Sequence, residues 1–167
     1  RSSDLFAIYD RVRRSIFIAR DRFGKKPLYY ASRPGFFGFA SELTSLLRHP
    51  KIEGTLDPGA LRKYFAYGFI PAPHSLYRRV AKLPGGHWMR YDIASDALHV
   101  SRYWQYRIAA PAAIPPDPEG VWGEELRALL SQAVKRRLIS DVPLGIFLSG
   151  GIDSSAILAF ATRHMPA

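Results

Sequence analysis

Seven consecutive residues, Ser149-Gly150-Gly151-Ile152-Asp153-Ser154-Ser155, gather the residue types most able to do chemistry. Two adjacent glycines leave no Cβ in the way of a tight backbone turn. Successive N–H groups can then face one concavity, a natural nest for an anion. A helix beginning after the turn adds free N–H groups and the positive end of its dipole. Ser149, Ser154 and Ser155 contribute neutral hydroxyl donors, and together these groups suit phosphate oxygens. The loop is not of the Walker type, which has wider glycine spacing and closes on Lys-Ser or Lys-Thr. What stands in it is Asp153. A carboxylate beside phosphates is repulsive unless a cation lies between, so Asp153 implies a bridging Mg²⁺, which prefers oxygen ligands and keeps part of its water. A serine-hydrolase elbow would need glycine two residues before the serine, and Phe147 holds that position. The simpler alternative is a strand-to-helix turn, with glycine for geometry and Ser or Asp for capping.

The flanking elements must position this loop. Val142–Leu148 is a nearly unbroken apolar run, which predicts a strand covered on both faces, as in a parallel sheet. Ala156–Arg163 predicts the helix that follows. Upstream, Leu126, Leu129, Leu130, Ala133, Val134 and Leu138 recur at helical spacing, predicting a helix that ends by Ser140. Helix, buried strand, glycine loop and helix make the opening of an α/β nucleotide-binding domain. Before it, residues 108–118 hold four prolines and read as an extended linker.

Residues 1–107 read differently. Asp4–Tyr9 and Ser15–Ala19 predict a hairpin around the polar turn Asp10–Arg14. Pro27–Ala31 and Phe36–Ala40 predict a second pair, joined by Ser32-Arg33-Pro34-Gly35. Ser41 is the expected N-cap of a short helix ending near Pro50. Asp57 as cap, Pro58 in the first turn and Gly68 at the end predict a helix to Tyr67. Ile70–Pro73 must be extended or turning, and Gly85-Gly86 lead into a strand pair over His87–Tyr91 and Ala97–Trp104.

The chain has 167 residues with 47% hydrophobic and 23% charged, an ordinary globular balance. No apolar run approaches the roughly 20 residues of a membrane-spanning helix, and no leader pattern is visible. Cysteine is absent, which removes disulfides, cysteine metal sites and a cysteine nucleophile from the chain. The five histidines show no metal spacing. Residues 1–107 carry 19 Lys/Arg against 8 Asp/Glu, and residues 108–167 carry 5 against 6. Such a basic stretch admits a nucleic-acid partner, but its arginines are scattered through strands and turns.

The loop Ser149–Ser155 resembles the pyrophosphate loop of the PP-loop ATP pyrophosphatases, in the S-G-G-x-D-S-S form of the asparagine synthetases. Other segments agree in order: Ala19-Arg20-Asp21-Arg22-Phe23-Gly24-Lys25-Lys26-Pro27-Leu28-Tyr29-Tyr30, Phe39-Ala40-Ser41-Glu42-Leu43, Tyr67-Gly68-Phe69-Ile70-Pro71-Ala72-Pro73, Lys82-Leu83-Pro84-Gly85-Gly86-His87, and Asp141-Val142-Pro143-Leu144-Gly145. Gly85 departs from the second proline that family more often has, which should change a turn and not the chemistry.

The resemblance implies an α+β fold followed by α/β. Residues 1–107 would be the C-terminal part of an Ntn-type glutaminase sheet domain, 108–118 a linker, and 119–167 the start of a PP-loop synthetase domain. It implies a cytoplasmic, glutamine-dependent asparagine synthetase using ATP and Mg²⁺. Its substrates would be ATP, aspartate and glutamine, with no nucleic-acid or membrane partner and with room for a homo-oligomer. An amidotransferase or β-lactam-synthetase-like enzyme with another carboxylate acceptor is the alternative. By the resemblance Ser149, Gly150, Gly151, Asp153, Ser154 and Ser155 hold pyrophosphate and metal. Phe147 and Leu148 border the adenine or ribose, or else pack in the core. Arg20 and Asp21 are expected to form a structural ion pair. Tyr29, Tyr30, Phe36, Phe37 and Phe39 are expected in the core. The family's nucleophile is an N-terminal cysteine, so no catalytic residue is expected in this chain, which reads as an internal, inactive fragment.

Overall fold

A computed structural model describes residues 4–165. The chain divides into two compact units, one ending at Arg107 and the other beginning at Ile108.

The first unit is built from two antiparallel sheets. β1 (Leu5–Asp10), β2 (Ser15–Arg20), β6 (His87–Asp92) and β7 (Leu98–Arg102) form one, in the order β1-β2-β6-β7. β3 (Tyr29–Arg33), β4 (Phe36–Ala40) and the two-residue β5 (Ala81–Lys82) form the other, in the order β4-β3-β5. Helices α1 (Leu43–Leu47) and α2 (Pro58–Tyr67) lie between β4 and β5 in the chain.

The expected hairpins form, with shifted ends. β3 begins two residues later than expected and runs to Arg33, because Arg33 pairs with Phe36 across a loop of only Pro34 and Gly35. Proline pre-sets the first turn position, and Gly35 takes the positive φ of +68° that the second demands. Ser41 does not cap α1: Glu42 holds that position and makes no side-chain cap bond. Asp57 does cap α2, its carboxylate accepting from the Gly59 N–H at 2.8 Å, and Gly68 closes the helix at φ +75°.

Strand alternation decides which side chains meet. Ile18, Leu28, Leu83 and Met89 are almost completely buried, and Leu5, Ile16, Tyr30, Phe37 and Leu98 pack around them. Each such aliphatic side chain contributes about 1.5–3 kcal/mol on burial. Tyr30 and Phe37 come from the second sheet, so this core joins the two sheets. Phe37 stacks on Tyr91 of β6 with ring centroids 4.4 Å apart. The opposite face of the second sheet offers Ala31, against which Leu46 of α1 and Val80 are buried, with Tyr29 and Phe36 beside them. Four of the five predicted core aromatics thus pack on a core, while Phe39 is exposed.

The second unit holds α3 (Pro118–Lys135) and α4 (Ile152–Thr162). Helix α3 begins eight residues before the first residue of the predicted apolar stripe. Asp117 accepts from the Gly120 N–H at 3.0 Å and Pro118 occupies the first turn. The last residues of the predicted linker therefore cap and open a helix. Ser131 Oγ lies 2.8 Å from His164 Nε2 and ties α3 to the end of α4. None of the described helices is long and apolar enough to cross a membrane.

One expectation fails here. Val142–Leu148 forms no strand, and its residues are exposed rather than covered on both faces. An extended segment becomes a strand only through a ladder, and no strand of the described residues lies in this unit. The α3 stripe is likewise largely uncovered, with Leu126, Leu129 and Leu130 exposed.

Candidate functional site

The glycine loop is organised by α4, which starts at Ile152 and not at Ala156 as expected. Asp153, Ser154 and Ser155 therefore belong to the first helical turn. Gly150 bends the chain at φ +79°, and a Cβ there would meet nothing within 4 Å, so the glycine answers a backbone requirement and not a packing one. Gly151 is the N-cap, in extended conformation and without a side-chain cap bond. The N–H groups of Ile152, Asp153 and Ser154 accordingly have no acceptor within the helix. Ser155 is the first to bond back, its N–H reaching the Gly151 carbonyl at 3.2 Å.

The serine hydroxyls serve the loop itself. Ser154 Oγ accepts from the Ser149 N–H at 3.3 Å, lies 3.0 Å from Ser149 Oγ, and donates to the Gly151 carbonyl at 3.1 Å. Ser155 Oγ donates to the same carbonyl at 2.9 Å. Short hydroxyl side chains commonly take nearby backbone partners in this way. The hydroxyls of Ser149, Ser154 and Ser155 are thus all bonded within the loop, while the N–H groups of Ile152, Asp153 and Ser154 are left over at the helix start. Asp153 is exposed in the first turn of α4, where its charge also complements the helix dipole.

Phe147 and Leu148 are brought next to the loop by chain continuity alone. Phe147 is fully exposed and Leu148 is 57% exposed, so neither packs in a core of this chain. Ile152 has an apolar side chain and carries no signal of its own in the sequence. Its contribution is the first N–H of α4, which only the helix start reveals.

The donor set fits a modest role for a magnesium ion. Asp153 offers one unencumbered carboxylate, and Mg²⁺ is commonly held by one or two carboxylates with phosphate oxygens and water. Among the described residues no three His, Cys, Asp or Glu side chains gather into a metal cluster of their own.

The motif around Arg20 has a structural job in the first unit. Arg20 is only 9% exposed. Its guanidinium donates to the carbonyls of Lys26 at 2.7 Å and Gly24 at 2.6 Å, and also to that of Leu83. Burial lowers the guanidinium pKa, with Asp21 and then Tyr29 opposing the shift. Asp21 turns the other way and accepts from the N–H groups of Phe23 at 3.1 Å and Lys25 at 2.9 Å. The expected Arg20–Asp21 ion pair is replaced by a carbonyl clamp, because the Gly24 turn points its carbonyl at the guanidinium. Gly24 has φ +63°, and a Cβ there would come within 2.9 Å of Arg20 Cζ. Gly85 lies against the same turn, where a Cβ would approach the Gly24 nitrogen to 2.8 Å and the Arg22 oxygen to 2.9 Å.

Two family models match the chain. Residues 5–104 match the glutamine amidotransferase domain family. Residues 125–167 match the asparagine synthase family, whose match includes the whole of the 149–155 loop. The amidotransferase match spans more than half of the chain, which belongs to that family. It is 39% identical over 164 residues to a putative asparagine synthetase (glutamine-hydrolysing) of Mycobacterium tuberculosis, covering 96% of this chain and 25% of that protein. A second putative one, from Methanocaldococcus jannaschii, is 37% identical over 92% of this chain and 29% of its own length. Asparagine synthetase (glutamine-hydrolysing) 3 of Bacillus subtilis is 35% identical over 95% of this chain and 25% of its own length. The chain therefore spans about a quarter of the length of these relatives.

Proposed function

We infer that this chain is part of a glutamine-dependent asparagine synthetase. The first unit would be the C-terminal portion of an Ntn-type glutaminase domain, and the second the opening of a PP-loop synthetase domain. The observation that carries the reading is the start of α4 at Ile152, which leaves a run of backbone N–H groups beside the Gly150 bend, inside the asparagine synthase match.

In this reading the substrates are ATP, aspartate and glutamine. An oxygen of the aspartate side-chain carboxylate attacks the α-phosphorus of ATP, the bond from that phosphorus to the bridging oxygen breaks, and pyrophosphate leaves. Ammonia from glutamine then attacks the acyl carbon, loses a proton, and displaces AMP to give asparagine. The loop's part is to hold the β- and γ-phosphates while negative charge grows on them. Backbone donors fixed before the reaction do this without reorganising. The N–H groups of Ile152 and Asp153 are the principal donors, and Gly150 and Gly151 let the phosphates approach. Ser149, Ser154 and Ser155 would exchange bonds within the loop for bonds to phosphate, an exchange of near-equal hydrogen bonds. Asp153 would hold the magnesium ion, which supplies charge neutralisation of the phosphates when bound. Phe147 and Leu148, lying exposed just before the loop, would border the nucleoside.

The test is exchange of labelled pyrophosphate into ATP by the full-length protein. The expected result is exchange that depends on aspartate and falls at least about tenfold in Asp153→Asn. Exchange driven by another carboxylate and not by aspartate would reassign the acceptor. Absence of exchange with every carboxylate would refute the reading.

A further inference from the structure

A cavity of about 190 Å³ in the first unit has no part in the site above. It opens where Arg33 ends β3, Phe36 begins β4, Lys51 and Glu53 follow α1, and Arg78 and Arg79 precede Val80. The residues lining it include four basic ones, Arg33, Lys51, Arg78 and Arg79, and one acidic one, Glu53. None of these four cations is held in an ion pair among the described residues. Like charges gathered around one concavity repel each other, and an anion seated between them relieves that repulsion.

Two of these cations stand over one aromatic ring. The Arg33 guanidinium sits 5.4 Å from the centroid of the Phe36 ring and the Lys51 ammonium 5.9 Å from it. The ring thereby holds both at the cavity wall. Arg79 has φ +62°. Side chains with a Cβ avoid that region and glycine enters it freely, yet the position carries a guanidinium.

We propose that this cavity is a binding site for a small multivalent phosphate anion of the diphosphate class. Its volume lies below the roughly 300–1,000 Å³ of pockets for drug-sized ligands, which favours a compact anion over a nucleic acid or an acidic protein segment.

The test is a titration of the full chain with inorganic pyrophosphate, followed by amide NMR at low salt. Amides of residues 32–36, 51–53 and 78–80 are expected to shift and saturate together. Replacing Arg78 and Arg79 by glutamine should weaken that response at least about tenfold, and replacing both by lysine should weaken it far less, since charge at these positions is what the anion reads. Arg79→Gly suits the left-handed backbone, so it should weaken binding without lowering the unfolding midpoint. The proposal is overturned if these amides do not respond at millimolar pyrophosphate, or if the glutamine double variant responds like the wild type. A lowered midpoint in Arg79→Gly would overturn it too, as would a short oligonucleotide that shifts the same amides at lower concentration than pyrophosphate.

Discussion

Removing the Arg20 guanidinium should cost the first unit a large share of its stability. Arg20→Gln deletes a fork that serves the carbonyls of Gly24, Lys26 and Leu83 at once. A hydrogen bond from a charged donor contributes roughly 1.5–3 kcal/mol, but three from one group do not simply add. The Gly24 and Lys26 carbonyls are in half-buried bonds and can turn to water, whereas the bond to the Leu83 carbonyl is buried. Stranding that oxygen costs a further roughly 1–3 kcal/mol. The combined loss is about 3–5 kcal/mol, against about 5–15 kcal/mol for a whole domain. In urea, with a slope of roughly 1–3 kcal/mol per molar, the midpoint falls by more than about 1 M. Tryptophan fluorescence reads the transition, since Trp88 lies in β6 and Trp104 packs edge-on against Phe23, with ring centroids 5.0 Å apart. Arg20→Lys keeps the charge but not the planar fork and should lose about half as much. A midpoint for Arg20→Gln within about 0.3 M of wild type, at an unchanged slope, would refute the clamp.

Three other outcomes follow from the same geometry. Asp57→Ala removes the α2 cap and should cost about 1 kcal/mol by denaturant unfolding, while Asp57→Asn should cost much less. Gly85→Ala forces a Cβ against backbone at 2.8–3.0 Å and should destabilise by about 1–3 kcal/mol, read from the same curves. The Tyr91 hydroxyl donates to the Asp96 carboxylate, which also accepts from the Gly35 N–H at 2.8 Å. That bond pushes the Tyr91 pKa up to about 12 and, with the Gly35 bond, lowers that of Asp96. The raised phenol favours the folded state below the ordinary tyrosine pKa and loses that contribution as pH climbs from about 10 to about 12. The lowered carboxyl favours it above the ordinary aspartate pKa and loses it as pH falls through the folded value. Tyr91→Phe should weaken both limbs in a pH series of unfolding midpoints, leaving on the alkaline side the part that Tyr30, whose pKa burial raises, supplies.

Local chemistry explains which elements could be read ahead of the structure. Asp57-Pro58 with Gly68, and Pro34-Gly35, act through their own backbone geometry, so their effect does not depend on distant partners. Asp117-Pro118 repeats the first of these signatures, but it was hidden inside a proline-rich stretch read as linker. β5 is two residues long and exists only because Tyr29 pairs with Lys82 and Tyr30 with Ala81, which no pattern in the segment announces. Val142–Leu148 fails for the converse reason: its composition suits a strand, but a strand needs a neighbour to bond. At the loop, glycine spacing located the bend, while the start of α4 and the inward bonds of Ser154 and Ser155 depend on helix geometry. The cluster of Arg33, Lys51, Arg78 and Arg79 is spread over 47 positions and becomes a site only once β3, the turn after α1 and the 78–79 turn converge.

The most direct measurement is a crystal structure of the full-length protein with a non-hydrolysable ATP analogue. The β- and γ-phosphate oxygens should lie within about 2.7–3.2 Å of the Ile152 and Asp153 nitrogens, at the bend made by Gly150. A triphosphate bound elsewhere, with the 149–155 backbone making no contact to it, would contradict the assignment of this loop.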